Sequence, residues 1–237
     1  MAATEDLPIV YDLGMNNGDD SAYYLAKGFR VIGVDANPSM CALCSERFRS
    51  AISAGRMTVL NVGVSDEAGR QVFSINTEKH AISTFTPENF SEDWVPQSWE
   101  QVPVRVERAS AIIAEYGLPH FIKVDVEFYD RNVLRDLCEA AVKPPFISTE
   151  AHHAECLELL VAMGYERFRL VAGESVSRRF ANVEILRRDG TLTPFSFNHD
   201  SSGPFGEDLE TPWTNLREVR RELDAHGLGW IDIHATI

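Results

Sequence analysis

Residues 9–35 read IVYDLGMNNGDDSAYYLAKGFRVIGVD. Ile9, Val10 and Leu13 make a short apolar run of strand length that stops at Gly14. Gly14 and Gly18 bracket a turn, Asp12-x-Gly14-x-Asn16-x-Gly18, where missing side chains let backbone come close to a ligand. Asp19 and Asp20 open a helix, Tyr23, Tyr24, Leu25 and Ala26 follow, and Lys27-Gly28 supplies a cationic last turn and a stop. A second strand at residues 31–34 is closed by Asp35. An acidic side chain at the tip of the second strand, about 20 residues past the glycine turn, hydrogen-bonds ribose hydroxyls in dinucleotide-type folds. The stretch therefore predicts an adenosine-binding βαβ unit.

The turn is not the G-x-G-x-x-G that aims a helix N-terminus at a pyrophosphate. Two carboxylates, Asp19 and Asp20, open the helix here and would repel one. They would not repel a cationic ligand. S-adenosylmethionine carries a sulfonium and an ammonium group and no phosphate, and Asp12 at the strand end is placed to meet that charge. The expected contacts are Asp12, the turn residues Gly14, Met15, Asn16, Asn17 and Gly18, and Asp35 with Ala36. Short glycine turns also serve as ordinary α/β connections, so the rest of the chain carries the decision.

At 237 residues with 44% hydrophobic side chains, the chain is long enough for one sizeable α/β domain. Lys and Arg number 22 against 36 Asp and Glu, a net charge of −14, and no basic run exceeds a pair, so nucleic acid and anionic membranes are not expected as partners. The opening MAATEDLP has no cationic start before an apolar core, and no apolar stretch is long enough to span a bilayer, which predicts a cytoplasmic protein. Cys41 and Cys44 form a lone C-x-x-C with no second pair or histidine cluster at zinc spacing. The pair falls inside a helical stretch and is read as small buried residues sharing one face.

Further along, Pro38 opens a helix over residues 38–54, and a third strand at 57–62 ends in Gly63 and Val64, an apolar backbone wall for an adenine ring, with Ser65 or Asp66 reaching its amine. Residues 71–75 and 102–106 suggest a hairpin outside the parallel sheet. Between them lies an irregular stretch holding His80, Trp94 and Trp99, whose aromatics are candidates to cap a pocket. After a helix at 109–116, a buried strand at 121–124 delivers Asp125 and Glu127 to its C-terminal end, beside Gly14 and Asp35. A helix at 130–138 and a fifth strand at 146–149 then present Glu150 and His152 at the same edge, where a general base is wanted. A helix at 154–163, a sixth strand at 165–171 and an antiparallel seventh at 182–186 complete a core over residues 1–190. Residues 191–237 are expected to pack on it as a long loop or lid at 191–213, a helix at 215–226 and a short apolar end at 230–233.

With YDLGMNNGDD, VIGVDANP, LNVGVSDEAG, AISTF, FIKVDVEFYDRNVL and ISTEAH in this order, the chain resembles the FkbM-type S-adenosylmethionine-dependent methyltransferases across residues 10–152. The resemblance implies an α/β class I methyltransferase (Rossmann-like) fold, with a mostly parallel central sheet of about seven strands and helices on both faces. It also implies O-methylation of a hydroxyl on a small molecule or sugar-containing metabolite. The family commonly has a glycine and then a glutamate after the Val-Glu pair; this chain has Phe128 and Asp130, a change expected to narrow the pocket or move the turn. A hydroxyl is a poor nucleophile and needs a base or a metal. Asp125 is expected nearest the methionine part or the acceptor, and Glu150 with His152 as the acid–base pair. A divalent cation on Asp125, Glu150 and His152 stays open, but the spacing matches no metal motif and no metal site is assigned. Two other readings remain at this point, a catalytically silent adenosylmethionine-binding protein and a nicotinamide-dependent oxidoreductase.

Overall fold

The computed structural model describes residues 7–91, 93 and 95–237. Five consecutive buried residues form β1 (Ile9–Leu13), the pattern of a strand covered on both faces. Gly18, at φ 81°, leads into α1 (Asp19–Lys27), which Gly28 and Phe29 close with N–H bonds to the Leu25 and Tyr24 carbonyls. β2 (Arg30–Asp35) pairs with β1 in parallel. α2 (Pro38–Arg47) is capped by the Asn37 side chain, which accepts from the Ser39 N–H. The single helix expected over residues 38–54 breaks at Phe48, whose backbone leaves helical geometry at φ −104°, and α3 (Arg49–Ser53) resumes beyond it. β3 (Met57–Asn61) pairs with β2.

β4 (Gly63–Ser65), β5 (Gly69–Asn76) and β6 (Trp99–Arg108) leave the main sheet and form a second one in the order β4-β6-β5. The expected hairpin is there, extended at both ends; β4, at three residues, is too short to show a period. α4 (Ala109–Tyr116), β7 (Pro119–Val124), α5 (Asp130–Glu139), β8 (Phe146–Ala151), α6 (Glu155–Ala162) and β9 (Arg167–Ala172) follow the expected alternation. α7 (Gly173–Arg179), the ribbon β10 (Val183–Leu186) and β11 (Leu192–Phe195), α8 (Leu216–His226) and β12 (Gly229–Thr236) complete the chain.

The main sheet has seven strands in the order β3-β2-β1-β7-β8-β12-β9, with β12 antiparallel to both neighbours. Residues of α4, α5, α6 and α8 pack in one core on one side of it, and residues of α1, α2, α3 and α7 in a second. This is the mostly parallel, doubly covered sheet that the resemblance implies.

Two expectations change. The seventh strand is not residues 182–186, which pair only with β11; it is β12, inserted between β8 and β9. Buried Asp232 and His234 interrupt its apolar run and hide its strand character in the sequence. Residues 191–213, expected as a long loop or lid, begin with β11 and run on mostly as loop, and this loop is packed into the core. Phe197, Phe205 and Leu209 are buried in the core, and Phe205 lies flat on Phe121 with ring centroids 4.1 Å apart and planes 1° from parallel. Arg169 anchors the same segment by donating to the Gly206 and Leu209 carbonyls at 2.7 and 3.1 Å. Cys41 and Cys44 are buried in α2, as expected, with thiols pushed up to about 12 by burial. Trp94 and residues 1–6 lie outside the described residues.

Because the segment is core rather than lid, Phe205→Ala should destabilise the fold by about 3–5 kcal/mol in denaturant unfolding, the cost of an aromatic cavity. A change within about 0.5 kcal/mol, ordinary for a surface site, would restore the lid.

Candidate active site

The C-terminal ends of β1, β2, β7 and β8 open on one edge of the sheet, beside the β1/β7 pair where the strand order reverses. A cavity of about 520 Å³ lies there, within the ~300–1,000 Å³ usual for small-molecule and cofactor sites. Of the residues singled out from sequence, Gly14, Met15, Asn16, Asn17, Asp35, Ala36, Val64, Asp125, Glu150 and His152 line it. Asp12, Gly18 and Gly63 do not.

Asp12 is fully buried behind the wall. It accepts from the Ser21 hydroxyl at 2.6 Å and faces the Lys123 ammonium at 3.5 Å. The same ammonium lies 3.2 Å from Asp20 and 2.9 Å from Asp125. Burial alone would strip a proton from Lys123, but Asp125, Asp12 and Asp20 together hold its pKa well above the lysine range. Burial in turn pushes Asp12 up to about 6, against the pull of Lys123, and raises Asp20 as well. Lys123 is the residue that sequence reasoning missed. It sits in a buried strand, and a lysine there has to be paired; that was the available signal.

Asp35 ties two chain segments together, its Oδ2 accepting from the Asn16 N–H and its Oδ1 from the Asn37 N–H, both at 2.7 Å. Gly14, at φ 83°, is required by protein rather than by open space: a Cβ there would lie 1.6 Å from the Asp125 carbonyl oxygen. Gly18 likewise backs onto the Phe48 ring, and Gly63 lies under Phe85, which takes its place in the wall beside Val62 and Val64. Asp66 is turned away, accepting from Tyr129 and Asn132 at 3.2 and 3.0 Å. Ser65 accepts from the Gln71 amide.

At the other end of the cavity stand Glu127, Phe128, Glu150 and His152, with His80, Ile82 and Phe90 from the irregular stretch. Glu150 is only 5% exposed. Burial pushes its carboxyl well above the usual range, with nearby acids adding to the rise. His152 Nδ1 lies 3.4 Å from both Glu150 Oε2 and Asp130 Oδ2, and Phe128 stacks on its ring at 4.1 Å. The glycine expected after Val-Glu has a physical reason: Glu127 and Phe128 adopt left-handed backbone, φ 50° and 71°. The Thr84 hydroxyl secures the turn by donating to the Glu127 carbonyl at 2.6 Å. Asp232, in register with Glu150 across β8 and β12, is a further buried acid absent from the sequence reading.

The family model for the Methyltransferase FkbM domain matches residues 12–170. No curated protein matches the chain. Among solved structures, an FkbM methyltransferase from Methylobacillus flagellatus KT is 19% identical with a TM-score of 0.48, and the match covers 69% of this chain but only 39% of that one. A SAM-dependent O-methyltransferase from Thermotoga maritima is 12% identical, covering 97% of this chain and 58% of that one with a TM-score of 0.37. An rRNA methylase from Streptococcus thermophilus is 9% identical, covering 99% and 92% with a TM-score of 0.39. With RNA methylases among the neighbours, the expectation of a small-molecule acceptor with nucleic acid excluded is withdrawn. A net charge of −14 describes the whole surface and does not decide what approaches one cavity. No helix of the described residues is long and apolar enough to cross a membrane.

The carboxylates around Lys123 set a pH dependence. Asp12 titrates near 6 in the folded chain and near 3.9 in an unfolded one, so between these values the folded state binds more protons. Its contribution to stability is complete below about pH 4 and is lost as pH rises through about 6. Asp20 is shifted the same way. Between pH 5 and 7.5 the wild type should therefore lose more melting temperature than Asp12→Asn does, on the scale of ~2–4 °C per kcal/mol; His234, held down at about 3 by burial, acts in the opposite sense in both chains and cancels in the comparison. Parallel pH profiles for the two chains would contradict the assignment.

Proposed function

The chain belongs to the FkbM methyltransferase family, and we propose that it transfers the methyl group of S-adenosylmethionine to a hydroxyl oxygen held beside Glu150 and His152. The observation that carries this reading is the acidic cavity at the switch point of the sheet, with Asp35 at one end and the Glu150–His152 pair at the other. Its residues fit a cationic cofactor. Asp19, Asp20, Asp35 and Asp125 face it, and of its two lysines Lys123 is already committed to three carboxylates while Lys79 stands at the far side with His80.

Asp35 keeps a free lone pair on each oxygen beyond its two backbone bonds and would take the ribose hydroxyls. Ala36, Met40, Val62 and Val64 would flank the adenine, and the Gly14-to-Asn17 turn with Asp125 and Asp20 would hold the charged methionine part. Asp12 acts at one remove, by keeping Lys123 charged and in place. S-adenosylmethionine supplies the methyl group as a sulfonium, already activated for displacement. Glu150 and His152 would hold the acceptor oxygen for that displacement, in which the carbon–sulfur bond electrons would leave with sulfur. Glu150 takes the hydroxyl proton, and His152, steadied by Asp130 and by the Phe128 ring, positions that carboxylate.

Calorimetric titration should give cofactor binding that Asp35→Ala weakens ~10-fold or more, the loss of about 1.4 kcal/mol or more of hydrogen bonding. Labelled methyl transfer is then measured to hydroxylated saccharides, to polyols and to RNA. Glu150→Gln and His152→Ala should each slow transfer ~10²-fold or more with little change in cofactor affinity. Turnover unchanged in both variants removes the acid–base pair from the reaction, and binding without transfer to any acceptor leaves a binding protein.

A further inference from the structure

Three side chains of ligand type converge at the acceptor end of the cavity: Glu127 from the turn after β7, Glu150 from β8 and His152 just past it. One oxygen of each carboxylate and one ring nitrogen of the imidazole all lie within 4.8 Å of one another, close enough for one ion to meet all three. A second observation is independent of that clustering. Glu150 is 5% exposed, and its Oε2 has no hydrogen-bond partner. A buried carboxylate oxygen without a donor is costly, and His152 Nδ1 stands off at 3.4 Å.

The local charge points the same way. The charges of Asp125, Asp130 and Asp232 act on Glu150, and buried Lys123 is shared among Asp12, Asp20 and Asp125. The charge of Lys79 acts on Glu127 from a distance, without an ion pair to Glu127 or Glu150 among the described residues. Asp130 completes a recognisable second layer. Its Oδ1 accepts from the Val126 N–H at 3.1 Å, and its Oδ2 lies 3.4 Å from His152 Nδ1. A carboxylate behind a histidine in this way fixes the ring's orientation in metal sites.

We propose that Glu127, Glu150 and His152 hold a divalent cation that binds the acceptor hydroxyl. Two carboxylates with one imidazole suit a first-row ion such as manganese or zinc better than a purely oxygen-seeking one. Three protein ligands leave coordination positions facing the cavity. A hydroxyl bound there loses its proton to water more readily, as metal-bound water does. This rests on the methyltransferase reading and refines it: Glu150 then acts on the hydroxyl through the ion instead of taking the proton itself.

The test uses the full chain stripped with a chelator, with manganese(II) as the probe. Binding is followed by loss of the free-ion electron paramagnetic resonance signal and by calorimetry, and cofactor binding is titrated on the same preparations. One manganese per chain is expected, with a melting temperature that rises on its addition. Glu127→Gln and Glu150→Gln should each weaken binding more than Asp130→Asn, for which a loss of ~10-fold or more is expected. Glu166→Gln, remote from the cavity, should leave binding unchanged. Circular dichroism confirms folding, and the wild-type titration needs no variant. Wild-type chain that binds no manganese, or binding unaltered by both glutamate substitutions, overturns the cation site while cofactor binding keeps the methyltransferase reading. Manganese binding at these residues in a chain that ignores S-adenosylmethionine upholds the site and overturns that reading instead.

Discussion

The ammonium of Lys123, closed in among Asp12, Asp20 and Asp125, is the contact on which the site depends. It joins β1, the first turn of α1 and the end of β7, the three pieces whose C-terminal and N-terminal ends form the floor of the cavity. Three carboxylates this close are tolerable only with a cation between them, and breaking one side of such a buried set costs about 3–5 kcal/mol. Asp20 extends the network by accepting from the Ser202 N–H at 3.1 Å, which ties the buried C-terminal segment to α1. The floor is thus negative on balance and rigid.

That balance distinguishes the two ends of the cavity. At the Asp35 end, backbone N–H groups of Asn16 and Asn37 meet that carboxylate, so its charge is partly satisfied by protein. At the opposite end, Glu127, Glu150 and Asp232 gather without a protein cation in contact among the described residues. The turn that carries Glu127 is also the least relaxed backbone there, with two consecutive left-handed residues. Phe128 bears that cost, of order 1–3 kcal/mol for such a residue, and gains in exchange a stack on His152 and an edge contact with Phe90 at 4.9 Å. Strain of this kind persists where the surroundings over-determine it, as Thr84 and the Phe90 cluster do here.

The C-terminal part completes the site from the opposite side. β12 brings Asp232 beside Glu150, and Leu228, Gly229 and Trp230 at its start form part of the cavity wall. The Trp230 indole packs so closely over Gly173 that a Cβ there would sit 2.1 Å from it, which fixes the ring against α7. Residues 191–237 therefore shape the Glu150 end of the cavity through the sheet and its core.

The strand, glycine turn, helix and strand of residues 9–35 can be read directly from the sequence, because short unbroken apolar runs, glycine stops and an acid at a strand tip are local signals. The same holds for the order of the next elements and for Asp35, Asp125, Glu150 and His152 on one edge, since a parallel sheet sends every strand end to the same side. The sequence did not reveal that Asp12 lies behind the wall, or that Lys123 neutralises it. Nor did it reveal that Glu127, not Asp125, joins Glu150 and His152, or that residues 229–236 enter the sheet. Each of these depends on which groups from separate elements of the chain meet in the fold. A buried charge has no periodicity of its own, and its partner is chosen only when strands far apart in sequence come into register.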